Sequence, residues 1–156
     1  MRRERRKKWQ MLLLTTEPLW GTFKAAVLAT AGGGMYCGVE LLFRGRTHWT
    51  MVLVGGICFL LIGLLNERYP WEMALTSQML LAAAIVTAAE FLVGMVLNVW
   101  MRLDIWNYSD MPYNLLGQIS LLFSCGWFLL SLPAIVLDDW LRHWWFGEDR
   151  PKYKIL

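Results

Sequence analysis

Four apolar runs govern what this chain can become: Phe23–Phe43, Trp49–Leu65, Leu75–Trp100 and Leu115–Leu137. A helix that crosses a hydrocarbon core of about 30 Å needs about 20 mostly apolar residues. The second run is short at 17 residues, whereas the third, at 26, is long enough to tilt or to rest its last turn among headgroups. Composition agrees, with 57% hydrophobic and 17% charged residues against about 45–50% and about 25% in soluble domains. The expected fold is therefore all-α: a polytopic membrane bundle of four transmembrane helices, paired as two helical hairpins.

Basic residues orient such a bundle, because Lys and Arg are retained on the cytoplasmic side. With both termini inside, twelve of the fifteen fall in cytoplasmic segments, and only Arg44, Arg46 and Arg102 fall outside. The chain then divides into a basic cytoplasmic or interfacial segment (1–22), a transmembrane bundle (23–140) and a cytoplasmic tail (141–156) of a multi-pass protein of the cytoplasmic membrane. The opening "MRRERRKKWQMLLL" imitates a signal peptide, but Thr15–Pro18 ends its apolar run too soon for one, so no cleavage is expected. Basic charge beside a membrane span sets topology, and nucleic acid is not an expected partner. Cys37, Cys58 and Cys125 fall within the runs without metal-ligand spacing and serve as small packing residues.

Residues three and four apart share a helix face. In the third run Thr87, Glu90, Gly94 and Asn98 form one stripe, and Gly117, Ser120, Ser124 and Ser131 repeat it in the fourth. Gly33, Cys37, Glu40 and Arg44 mark the first run, and Gly56, Phe59, Gly63 and Asn66 the second. Small residues on one face let helix backbones approach closely, so these stripes are expected to point inward.

A charge at mid-bilayer costs about 3 kcal/mol on insertion scales, so ionisable residues there face protein or a water-filled cavity. Glu40 precedes Arg44 by one turn and can pair with it. Glu90 lies three turns from its nearest base in sequence, Arg102, so it must be protonated, paired with another helix or solvated in a cavity. His48 stands at a helix start, where a cap and a proton carrier are both readable. Glu40, His48 and Glu90 could together meet a divalent cation, but their spacing matches no metal motif, and no metal is expected. The connection Met101–Asn114 is rich in aromatics, as an interfacial belt is, and Asn114 with Gln118 forms an amide pair read as the entering turn of the fourth helix. The expected polar pocket comprises Glu40, Arg44, His48, Glu90, Trp106, Asn114 and Gln118, with the amides donating to one carboxylate and Arg44 neutralising the other.

These same residues carry a resemblance. "RGRTHWTM" (Arg44–Met51) fits R-G-x-[ST]-H-W-[ST]-M. Glu90 is followed by W-[DN]-Y-S-x-x-P-[FY]-N-x-x-G-[RQ]-[IL]-S-L, here Trp106, Asn107, Tyr108, Ser109, Pro112, Tyr113, Asn114, Gly117, Gln118 and Ser120. Over roughly residues 30 to 130 the chain resembles the CmpB-like "putative ABC-transporter type IV" membrane family. Asn107 and Gln118 stand where many relatives carry Asp and Arg. The resemblance implies a membrane-embedded, permease-like protein and names no substrate.

No nucleotide-binding, hydrolase or zinc-peptidase motif occurs in the chain, and no cofactor is identified. The leading expectation is a transporter component with an outer-facing polar pocket. Four spans are few for a complete path, so membrane lipid and a second copy or partner subunit are its expected partners. A membrane enzyme acting on a lipid-borne substrate, with Glu90 as acid or base, and a structural assembly factor are the alternatives.

Overall fold

The computed structural model describes the backbone of residues 2–68 and 73–155 and the side chains of 21–65 and 73–155. The chain is mostly helical. Its elements are α1 (Arg2–Arg44), α2 (Trp49–Arg68), α3 (Leu75–Gly94, continued by a π-helical turn at Met95–Trp100), the short strands β1 (Asn114–Leu115) and β2 (Ile119–Ser120), and α4 (Leu121–Phe146). Three stretches are long and apolar enough to cross a membrane: Gly21–Arg44, Leu75–Trp100 and Leu121–Phe146. The apolar part of α2, Trp49–Leu65, is shorter. The backbone of α1 continues unbroken from Arg2 through Pro18. The side chains of the expected interfacial segment up to Trp20, and the turn at 69–72, lie outside the described residues.

α1 and α2 pack closely because glycines remove the side chains between them. A methyl group on Gly33 would overlap the Val52 carbonyl oxygen, and one on Gly56 would sit 2.6 Å from the Ala29 carbonyl oxygen. α1 ends at Gly45, whose left-handed φ of 67° lets its N–H return to the Leu41 carbonyl at 3.0 Å, a turn that favours glycine because it has no Cβ to clash. His48 opens α2 as a cap. Its carbonyl accepts from Met51 N at 2.8 Å, and its Nδ1 accepts from Thr50 N at 3.4 Å. That fulfils the capping role and leaves the ring tilted beside Trp49 at 5.6 Å between centroids.

α3 and α4 are joined by a hydroxyl pair, Thr87 donating to Ser124 at 3.2 Å, and Met79, Ala82 and Ile135 pack with Ile62 and Leu65 of α2 into one buried cluster. The expected inward stripes thus meet. Leu42, Phe43, Leu80, Leu92, Leu121 and Leu129 instead point outward and exposed, as suits a lipid-facing surface.

The fourth helix departs from expectation. Residues 114–120 are not its entering turn but an antiparallel hairpin pairing Asn114 with Ser120 and Leu115 with Ile119. Asn114 builds the turn: its Nδ2 donates to the carbonyls of Ser109 and Met111, and its Oδ1 accepts from Gly117 N at 3.0 Å. Asn and Gly are common turn formers because one bonds the backbone locally and the other tolerates positive φ, and Gly117 has φ 67°. Ser120 then caps α4 by accepting from Phe123 N. α4 runs on to Phe146 and ends at Gly147 in the left-handed conformation, well past Leu137.

Candidate functional site

Between the two hairpins lies a cavity of about 210 Å³. α1 and α4 touch at few places, and the space left there is lined from every helix and from the connection. Its walls are mostly apolar, including Met35, Val39, Val54, Phe59 and Leu130, and its polar groups are Glu40, Arg44, Glu90, Tyr36, Tyr108 and Ser131.

The two carboxylates are handled differently. Glu40 is buried, yet both its oxygens are met from its own hairpin: Arg44 Nη1 donates to Oε1 at 2.9 Å and the Thr47 hydroxyl to Oε2 at 2.5 Å. The second terminal nitrogen of Arg44, Nη2, donates to the Ile105 carbonyl at 2.7 Å, tying the first hairpin to the long connection. Glu90, only 7% exposed, meets two neutral donors instead. The Tyr108 hydroxyl donates to Oε1 at 2.8 Å and the Trp127 indole N–H to Oε2 at 2.9 Å. Burial first, and then the Glu90 charge and hydrogen bond, push the Tyr108 phenol above its ordinary value. The phenol therefore keeps its proton and remains the donor. Tyr108 in turn stacks on Phe123 at 4.4 Å, and Trp127 on Tyr36 at 5.8 Å between centroids.

Behind this layer the connection is fastened to α3 through Asn98, which sits on the π-helical turn. Its Nδ2 donates to the Trp106 carbonyl at 2.9 Å and to Gln118 Oε1 at 3.0 Å, and its Oδ1 accepts from Ile105 N at 2.7 Å. Trp106 is buried, and its indole N–H donates to the Gln118 carbonyl at 2.9 Å. Gly94 makes room for this layer, since a methyl group there would meet Gln118 at 2.6 Å and the Trp106 ring at 3.1 Å.

Of the seven residues expected in the pocket, Glu40, Arg44, Glu90 and Trp106 line the cavity. His48, Asn114 and Gln118 do not. His48 is turned to Thr50, Asn114 shapes the hairpin, and Gln118 braces Asn98 while its Nε2 donates to the Leu116 carbonyl. The amides therefore do not serve Glu90: both NH2 groups donate to backbone carbonyls of the connection and hairpin, and Tyr108 and Trp127 take the role assigned to them. Glu90 does point into the bundle and reaches α4, as its stripe required. Tyr36, Tyr108 and Trp127 were missed, although the periodicity contained two of them. Trp127 lies between Ser124 and Ser131 on the inward face of α4, and Tyr36 falls one turn before Glu40.

A second polar cluster lies at the opposite end of the bundle, where α4 leaves it. Arg142 Nε donates to Asp138 at 2.5 Å, and both residues are buried with Asp139. Gly63 of α2 is kept bare by this pair, because a methyl group there would overlap the Asp138 carboxylate. The last residues fold back over it, with Leu75 N donating to the Lys154 carbonyl at 2.7 Å. Lys24 of α1 pairs with Glu148 nearby. Among the described residues no group of three or more His, Cys, Asp or Glu side chains could hold a metal ion.

With this geometry in view, comparison with known families is decisive for membership. Residues 8–145 match the family described as "Putative ABC-transporter type IV". The chain belongs to this family. The match extends well beyond both sequence motifs and takes in all four helices. No curated protein matches the chain, and no solved structure does. The family description and the apolar helices together make this a membrane protein of transporter-related type.

Proposed function

We propose that the protein is a multi-pass, permease-like component of the cytoplasmic membrane that holds a small substrate in the cavity between its hairpins. The supporting observation is Glu90: a carboxylate buried among apolar walls, facing a cavity that all four helices build, and held there by side chains from the connection and α4. Ionisable groups at membrane depth are costly and mark substrate or ion pathways. The packing of α2 against α1, and its contacts with α3 and α4, support counting it as a fourth span. The basic asymmetry supports termini on the cytoplasmic side, which sets the Glu40–Glu90 end and residues 101–120 toward the outer face. The chain carries no nucleotide-binding motif, so energy coupling and a complete path fall to a second copy or a partner subunit. Glu90, Tyr108 and Trp127 are assigned to the substrate, and Arg44 to balancing Glu40.

Native Cys58 tests the cavity, since its side chain lines it while Cys37 is half-buried and Cys125 exposed. With Cys37→Ser and Cys125→Ser in place, Cys58 is expected to react with a small neutral methanethiosulfonate in the folded, detergent-solubilised protein. A Cys58 that reacts only after unfolding would mean a closed core and would overturn the reading. Orientation is tested separately in intact cells: Thr47→Cys and Ser109→Cys are expected to label with an impermeant maleimide without permeabilisation.

A further inference from the structure

Resting on the reading of the cavity as the substrate site, we infer that its ligand is an organic monocation, an ammonium-type head on an apolar body. The charge pattern of the lining points there. Glu40 is answered in place by Arg44 Nη1, and Arg44 Nη2 donates to the Ile105 carbonyl. Glu90 has only the Tyr108 hydroxyl and the Trp127 indole N–H as hydrogen-bond partners among the described residues. Two carboxyl groups and one guanidinium thus face the same space, and Glu90 is the carboxyl group to which no basic side chain bonds among the described residues.

Each carboxylate oxygen has about two lone-pair sites, so both Glu90 oxygens retain acceptor capacity after one bond each. Aromatic rings complete the recognition. Tyr36, Trp106, Tyr108 and Trp127 all line the cavity with Glu90, and ring faces attract ammonium groups through their quadrupole, Trp most strongly. The remaining walls are Met, Val, Leu, Phe and Ala, which favour a hydrocarbon body over a polyol. An inorganic divalent ion is a poor fit, since such ions want six or more oxygens and no cluster of three His, Cys, Asp or Glu exists among the described residues. An anion would face Glu90 directly. The volume, about 210 Å³, equals that of about seven liquid waters, which admits a headgroup or a small amine but not a whole lipid.

The test uses the full chain in dodecyl maltoside, an uncharged detergent, and equilibrium binding of radiolabelled benzyltrimethylammonium. Its comparators are neopentylbenzene, the uncharged carbon isostere of the same shape, and benzylsulfonate, an anion. Saturable binding of the ammonium, preferred over the isostere by at least about tenfold (1.4 kcal/mol), is the expected result. Glu90→Gln should abolish that preference, whereas Asp110→Asn, on the exposed connection, should leave it unchanged. The wild-type comparison stands even if Glu90→Gln does not fold. Added phosphatidylethanolamine competing with the probe where phosphatidylglycerol does not would assign the head to a lipid; no competition from either would assign it to a free amine. Equal binding of ammonium and isostere, preference for the sulfonate, or no saturable binding while Cys58 stays reactive would each overturn the cation. The last pattern leaves the cavity reading intact, whereas an unreactive Cys58 removes that reading itself.

Discussion

The two hairpins each bring one buried carboxylate to the same cavity, and they hold it by opposite means. Glu40 is served within a single turn and loop, by Arg44 and Thr47, with a tight glycine interface behind it. Glu90 depends on residues far along the chain, and those residues are placed by a folded connection that Asn98, Trp106 and Gln118 brace from beneath. A charge neutralised locally does little beyond stabilising its own helix end. A charge held by neutral donors stays available to a ligand. Under the proposed function the difference gives Glu40 a structural part and Glu90 the ligand, although their burial is nearly the same.

Three experiments would break or sharpen this contrast. The largest effect is expected for Trp106→Ala, which removes a buried indole and its bond to the Gln118 carbonyl. Thermal unfolding in detergent should report a loss of about 3–5 kcal/mol, and limited proteolysis should cut the released connection at 101–113. A small loss would mean that the connection does not depend on its buried brace. Gly33→Ala comes next, costing up to about 3 kcal/mol through overpacking, because the Val52 backbone cannot move aside as a side chain could. Gly34→Ala meets nothing within 4 Å and should be neutral or stabilising by about 1 kcal/mol. Equal behaviour of the two would deny the close helix contact.

The smallest effect distinguishes the carboxylates directly. Glu90→Leu leaves the Tyr108 hydroxyl and Trp127 N–H without their acceptor, a cost of about 1–3 kcal/mol. Glu40→Leu leaves Arg44 30% exposed and free to resolvate, so its stability cost should stay below about 1 kcal/mol. Matching losses in the two variants would erase the distinction drawn between the hairpins.

The helices and their inward faces were legible because the apolar runs are long and the small residues recur at helical spacing. The Glu40–Arg44 pair was legible for the same reason, since both partners lie one turn apart on one helix. The connection was not. Asn114 and Gln118 are four apart, which on a helix makes neighbours, yet Asn114 and Gly117 close a hairpin that sends the two side chains to different tasks. His48 was open between two roles until its ring was found beside Thr50. Asp138 and Arg142 show the reverse lapse: an i,i+4 pair just beyond the fourth apolar run carried a signal for a buried ion pair.

What the sequence by itself determined is the set of properties that depend on neighbours along the chain: membrane character, helix number, inward stripes, family and the presence of costly charges within apolar helices. Which donors meet Glu90 was decided by the tertiary structure alone. Tyr108 lies 18 residues from it and Trp127 lies 37, so no local periodicity couples them. Their meeting depends on the π-helical turn, the hairpin and the gap between α1 and α4. The physical reason is that a helix repeats its own geometry every few residues, whereas a hydrogen bond between distant segments exists only once all the intervening elements have packed.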